Sequence, residues 1–169
     1  AETRPLVLVA APAGYGKSTL VAQGLDVGPR PSAWDRLQPD DNDPLVLLAR
    51  LTSALARTGP VGRDLLDELP RRPPRIAEAL LPGLAGELAR RGPLVLVLDD
   101  VHVATTTSSQ EVLAFLVDHV PDGSQLILIG RGHPPVAVGR LRAAGDLAEV
   151  GVEHLALAAV LVGQRLPFD

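Results

Sequence analysis

Three short apolar runs punctuate the chain: Leu6-Val7-Leu8-Val9-Ala10, Leu94 to Leu98, and Leu126-Ile127-Leu128-Ile129-Gly130. Each is continuous rather than alternating with polar residues, the pattern of strands buried on both faces in a parallel sheet. Between them, apolar positions recur at helical spacing. A helix is expected from Lys17 to about Leu25. Leu45, Leu48, Leu51 and Leu55 predict a second to about Arg57, opened by Asp40-Asp41-Asn42-Asp43-Pro44 with an Asx cap and proline in the first turn. Ile76 to Arg91 also has helical periodicity, which Pro82-Gly83 should break or kink. Ser108 with Glu111 reads as a capping box for a helix through His119. Weaker signals predict strands at Ser32 to Leu37 and Leu147 to Val150, and short helices at Asp64 to Leu69, Gly139 to Ala144 and Ala156 to Arg165. Strands alternating with helices predict an α/β fold: a three-layer α/β/α sandwich around a mainly parallel five-stranded sheet, with residues 1–169 forming one domain.

Composition narrows the function classes. At 169 residues the chain can bury roughly 70% of its unfolded surface. Aromatic residues are only 2%, so the core must be built from Leu, Val and Ala. The net charge of -4, with no cluster of basic residues, argues against direct contact with nucleic acid or an anionic membrane. The absence of cysteine excludes disulfides, thiolate chemistry and Cys-based zinc sites. No cleavable leader is evident and no apolar run approaches the roughly 18 residues needed to cross a bilayer, so a soluble, cytoplasmic domain is expected.

The turn after the first run is Ala11-Pro12-Ala13-Gly14-Tyr15-Gly16-Lys17-Ser18, a Walker A pattern with Ala11 where glycine is usual. Gly14 and Gly16 let the backbone bend until successive N–H groups face one concavity, and the following helix aims its positive end at the same place. Ala13, Gly14, Tyr15, Gly16, Lys17, Ser18 and Thr19 are therefore the expected nucleotide-binding residues. Lys17 is placed to reach the β- and γ-phosphates of ATP, and the Ser18 hydroxyl to ligate Mg²⁺. The plainer explanation is a glycine-rich turn that happens to contain Gly-Lys-Ser. Against it stand the strand–turn–helix setting and the fact that Lys17 is the only lysine in the chain.

The second run ends in Asp99-Asp100, a Walker B element that carries carboxylates to the C-terminal edge of the sheet, where open α/β sheets bind ligands. Asp99 is expected to hold Mg²⁺, and Asp100 to orient and polarise the attacking water. The plainer alternative is a strand end followed by an acidic turn. Arg131 follows the third run directly and should reach the same edge, either as a sensor of the γ-phosphate or as a solvated loop residue. The Asp40–Asp43 run looks like metal-binding material, but a helix cap explains it more simply. Trp34 reads as a core residue. His102, just past the acidic pair, is placed to shape the site, while His119, His133 and His154 carry no recognisable pattern.

Leu6 to Thr19 (LVLVAAPAGYGKST), Asp40 to Pro44 (DDNDP), Leu94 to His102 (LVLVLDDVH), Pro121 to Pro135 and Leu141 to Val150 together resemble the nucleotide-binding domain of STAND-class P-loop ATPases, within them the large LuxR-type bacterial transcription regulators of the MalT type. The resemblance implies a switch that is closed with ADP and self-associates with inducer and ATP. It implies P-loop roles for Lys17 and Ser18, an acidic pair in Asp99 and Asp100, a sensor role for Arg131, and a place for the Arg131 strand beside the P-loop strand. Gly130 departs from the small hydroxyl residue common before the sensor arginine. Such proteins usually continue into a winged-helix domain, a helical sensor region and a C-terminal helix-turn-helix. This chain is accordingly expected to be a segment of a longer protein, with DNA binding outside it. The expected activity is slow, Mg²⁺-dependent ATP hydrolysis to ADP and phosphate. A small-molecule P-loop kinase and a non-catalytic nucleotide-binding scaffold are the alternatives.

Overall fold

Within the three apolar runs leucine alternates with valine or isoleucine, and that alternation sorts the two faces of a sheet. The computed structural model describes residues 5–26, 28–63, 65 and 76–155. Strands form at Leu6–Ala10 (β1), Ser32–Arg36 (β2), Val95–Asp99 (β3), Gln125–Gly130 (β4) and Leu147–Val150 (β5), all parallel, in the order β2-β3-β4-β1-β5. Leu6, Leu8, Leu96, Leu98, Leu126 and Leu128 point into one buried cluster, and Val9, Val95, Val97, Ile127 and Ile129 into another. The leucine face packs against helices Pro44–Ala56 (α2), Ile76–Arg90 (α3) and Thr107–Asp118 (α4). The β-branched face packs against Lys17–Asp26 (α1), which contributes Val21, Leu20 and Leu25. A short helix at Gly139–Ala144 (α5) ends at Gly145, whose φ of 79° lies in the left-handed region that glycine adopts freely. The architecture is the three-layer α/β/α sandwich that the alternation of elements predicts. β4 lies between β3 and β1, as the family resemblance implies.

One local expectation is narrowed and one is corrected. Pro82 neither ends nor divides α3, which runs unbroken from Ile76 to Arg90. Proline inside a helix costs about 3 kcal/mol. Leu80, Leu81, Leu84 and Leu88, all buried beside it, contribute roughly 1.5–3 kcal/mol each and outweigh that cost. The cap of α4 is Thr106 rather than Ser108: its hydroxyl accepts the Ser109 N–H at 3.3 Å, and Ser108 is exposed within the first turn. Tertiary contacts decide this, because Asn42 Oδ1 accepts the N–H groups of Thr105 and Thr106 at 2.8 and 3.0 Å and holds the chain in the conformation of a cap. The helix expected at Asp64 to Leu69 falls largely, and that at Ala156 to Arg165 wholly, outside the described residues.

The lower end of the helical layer is tied by a buried carboxylate. Glu87 accepts the Gly62 N–H at 2.9 Å, Arg90 Nη2 at 2.6 Å and Arg91 Nε at 2.7 Å. Arg91 in turn donates to Leu55 O, Thr58 Oγ1, Gly59 O and Pro60 O, joining the end of α2 to the end of α3. Burial pushes the Glu87 carboxyl up, but these donors outweigh it and leave it below the ordinary glutamate range. A carboxyl depressed by folding adds stability above its unfolded pKa and loses it as the pH falls through the folded one. Glu87→Ala leaves Arg91 buried without its carboxylate and is expected to cost roughly 3 kcal/mol. Glu87→Gln should flatten the acid side of a plot of Tm against pH. Thermal melts between neutral pH and pH 3 check both.

Candidate functional site

The register of the sheet brings four strand ends to one edge. Ala10 pairs with Gly130, Leu98 with Leu128, and Arg36 with Asp99. The loop after β1, the acidic pair after β3 and Arg131 after β4 therefore open onto the same side, at the carboxyl ends of the strands. This is where open α/β sheets place their ligands.

Between β1 and α1 the chain folds back upon itself. Gly14 and Gly16 have φ of 84° and 72°, a conformation that costs residues with a Cβ about 1–2 kcal/mol. A Cβ built on either would meet nothing within 4 Å, so it is the backbone angle, not space, that calls for glycine. Ala11 is buried, donates its N–H to Gly130 O at 3.3 Å and sets its methyl in the β-branched core. That packing accounts for alanine where the pattern usually has glycine. Pro12 to Gly16 are exposed. The backbone N–H groups of Ala13 to Thr19 find no acceptor among the described residues, and the first helical bond of α1 is from Leu20 N to Gly16 O. Lys17 is buried, and its ammonium reaches back to Ala11 O and Pro12 O, each at 2.8 Å. A row of open amides and one cation thus share a turn at the positive end of a helix, an arrangement suited to a polyphosphate.

Ser18 Oγ donates to Asp99 Oδ2 at 2.7 Å across 81 residues of sequence. Asp99 is buried, and its Oδ1 accepts the Asp100 N–H at 2.8 Å. Asp100 has φ 56° and ψ 36°, the one non-glycine residue with positive φ among those described. Its Oδ2 accepts Arg36 Nε at 2.7 Å, and its Oδ1 lies 3.8 Å from His102 Nδ1. That histidine nitrogen is buried without a hydrogen-bond partner among the described residues. Arg131 is exposed and has no partner among the described residues. The preceding Gly130 sits close to the turn after β3: a Cβ there would approach Val101 Cγ2 to 3.3 Å, so that methyl would have to shift by a few tenths of an ångström.

The Asp40–Asp43 run is a joint. Pro39–Asn42 forms a 3₁₀ turn, and Asp43 caps α2 by accepting the Leu45 N–H. Asp41 is buried, accepts the Gln38 N–H at 2.7 Å and faces Arg50 at 3.4 Å, and burial raises its pKa. Asn42 donates to Pro39 O and Val103 O while its Oδ1 accepts from Thr105 and Thr106. Among the described residues no group of three or more His, Asp or Glu side chains has the arrangement of a metal site. Trp34 is half-buried against the β-branched core. Arg36 and Asn42 are not evident as site residues in the sequence. The one signal is that a polar residue ending a strand of this sheet must reach the ligand edge. A separate cavity of about 420 Å³ lies by Pro31 and Leu94, at the opposite ends of β2 and β3, where Glu87, Arg90 and Arg91 already pair with one another. Among the described residues no helix is long and apolar enough to cross a membrane.

Known proteins resemble this chain in sequence and in fold. The model of the AAA ATPase domain matches residues 1–129. The HTH-type transcriptional regulator MalT of Serratia proteamaculans is 36% identical over 154 residues, covering 89% of this chain and 17% of that protein. The MalT of Yersinia enterocolitica is 35% identical over 159 residues, with the same coverage. The chain thus spans about a sixth of the length of these relatives. Among solved structures, that of the Aeropyrum pernix Orc1 protein in complex with DNA superposes with a TM-score of 0.51 at 16% identity, covering 90% of this chain and 40% of that one, a likeness of fold. Fold, loop and sequence agree: the chain belongs to the AAA ATPase domain family and is similar to a segment of the HTH-type transcriptional regulator MalT.

Proposed function

We propose that this chain binds Mg·ATP and ADP, hydrolyses ATP slowly, and serves as the switch module of a STAND-type transcription regulator. The observation that carries the proposal is the bent loop, in which the amides of Ala13 to Thr19 have no acceptor among the described residues and stand beside the buried Lys17 ammonium. Those amides bind phosphate oxygens, and Lys17 exchanges its two backbone carbonyls for the β- and γ-phosphates. Ser18 Oγ and Asp99 Oδ2 converge at 2.7 Å as hard oxygen donors, the donor type that Mg²⁺ selects. They are the residues that would hold the ion. When bound, Mg²⁺ supplies charge neutralisation on the phosphates. Asp100, with one oxygen free of close hydrogen bonds among the described residues, orients the attacking water, and Arg131 reads the γ-phosphate from β4. Inducer recognition, DNA contact and nucleotide-dependent self-association belong to the longer protein and follow from the likeness to MalT.

Calorimetric titration with ADP and ATP, with and without Mg²⁺, tests the reading. Binding of both nucleotides is expected, together with phosphate release that needs Mg²⁺ and no added acceptor. Release that occurs only with a small-molecule acceptor present would point to a kinase. Absence of any binding would remove the proposal.

A further inference from the structure

We propose that Arg36 is a positioning residue for ATP hydrolysis, holding one oxygen of Asp100 so that the other is left for the attacking water, with Asn42 bracing the far end of the same loop. The inference rests on the hydrolytic role proposed for Asp100 and deepens it.

Asp100 is in an unusual position for a residue that must present a carboxylate at a fixed place. It lies just beyond β3 in a left-handed conformation, and the next three residues form a 3₁₀ turn. A carboxylate on such a turn can rotate about two side-chain bonds unless something grips it. The grip comes from the neighbouring strand. Arg36 is the last residue of β2 and stands opposite Asp99 in register, so its side chain starts one strand away from the acidic pair. Arg36 Nε meets Asp100 Oδ2 at 2.7 Å, whereas Oδ1 takes no hydrogen bond among the described residues, with His102 Nδ1 3.8 Å away. The two oxygens are thereby given different tasks. Arg36 is itself 66% exposed and Asp100 20%, so the pair lies open to a ligand-side water rather than sealed in the core.

The other end of the turn is tied to the same segment of chain. Six residues after Arg36, Asn42 Nδ2 donates to Val103 O at 3.0 Å while its Oδ1 accepts from the Thr105 and Thr106 N–H groups. The stretch from the end of β2 to the cap of α2 therefore holds the loop that follows Asp99 at both ends. Among the described residues no hydrogen bond or ion pair of Arg36 or Asn42 reaches the phosphate loop, so their effect should fall on turnover and not on affinity.

Single-turnover hydrolysis of bound ATP and the Kd for ADP, measured on wild type, Arg36→Ala, Arg36→Lys and Asn42→Ala, separate the possibilities. Displacing a reacting group by about 1 Å can cost up to 10²-fold in rate. Arg36→Ala is therefore expected to slow hydrolysis about tenfold or more with ADP affinity unchanged, and Arg36→Lys to recover part of the rate, since it keeps the charge but not the planar fork. Asn42→Ala should slow hydrolysis to a smaller extent. Equal rates in wild type and Arg36→Ala would overturn the inference. So would a faster variant, which would make the ion pair a restraint, or a parallel loss of ADP affinity, which would make Arg36 merely structural. A wild-type protein that binds ADP yet never hydrolyses ATP would sink the catalytic reading itself and this inference with it.

Discussion

Lys17→Ala is expected to abolish measurable nucleotide binding, weakening ADP by at least about a hundredfold, or roughly 2.7 kcal/mol. The size of the effect follows from what surrounds the ammonium. Lys17 is the only cation within the loop, and it neutralises Ala11 O and Pro12 O, each 2.8 Å away. Truncation removes the charge and leaves the Ala11 and Pro12 carbonyl oxygens without their ammonium donor. Charge-assisted hydrogen bonds are about twice as strong as neutral ones, so the remaining amides cannot compensate. Arginine should not restore affinity, because a broad guanidinium does not fit where a compact ammonium contacts two carbonyls of one turn. Calorimetry on a variant shown by its melting curve to be folded is the measurement. An unchanged ADP isotherm would detach the loop from any role with nucleotide.

Asp100→Asn is expected to do the reverse, keeping nucleotide affinity while lowering turnover by about 10²–10⁴-fold, the usual contribution of a positioned base. The substitution preserves shape and the short contact to Arg36 but removes the basic oxygen. Asp99→Asn should behave differently. Its carboxylate faces Ser18 Oγ, so its loss is expected to reduce the Mg²⁺ dependence of ATP binding. Phosphate release, read beside binding isotherms at varied Mg²⁺, distinguishes the two. Wild-type turnover by Asp100→Asn would pass the water-orienting task to another group.

The inner part of the molecule is legible from local pattern because several rules agree there. β1, β3 and β4 are continuous apolar runs, and the phosphate loop sits where a strand must turn into a helix. The leucine and β-branched alternation even encodes which face each side chain takes. Legibility fails where the deciding partner is remote. β2 reads weakly because it lies at the sheet edge, where of Ser32-Ala33-Trp34-Asp35-Arg36 only Ala33 is buried. Arg36 cannot be recognised as a neighbour of Asp100 until the strand order sets it opposite Asp99. Pro82 obeys no local rule because the leucines around it are held by the core, and Thr106 displaces Ser108 because Asn42 holds the preceding amides. Local chemistry dictates the elements; the contacts that aim the acidic pair are made by segments distant in sequence.

One consequence concerns the rim of the sheet. Pro31 O accepts from Val95 N and Leu37 N donates to Asp99 O, so the odd-numbered residues turn their peptide groups to β3 and the carbonyls of Ser32, Trp34 and Arg36 face outward. The two nearest the ligand edge are occupied: Arg57 Nη2 donates to Trp34 O, and Arg50 Nη2 to Arg36 O at 2.6 Å. An incoming strand would have to evict two guanidinium groups to reach these two acceptors. The flank of the molecule nearest Arg36 is thus partly stoppered, and a strand laid along it would meet two guanidinium groups where it needs bare peptide oxygens.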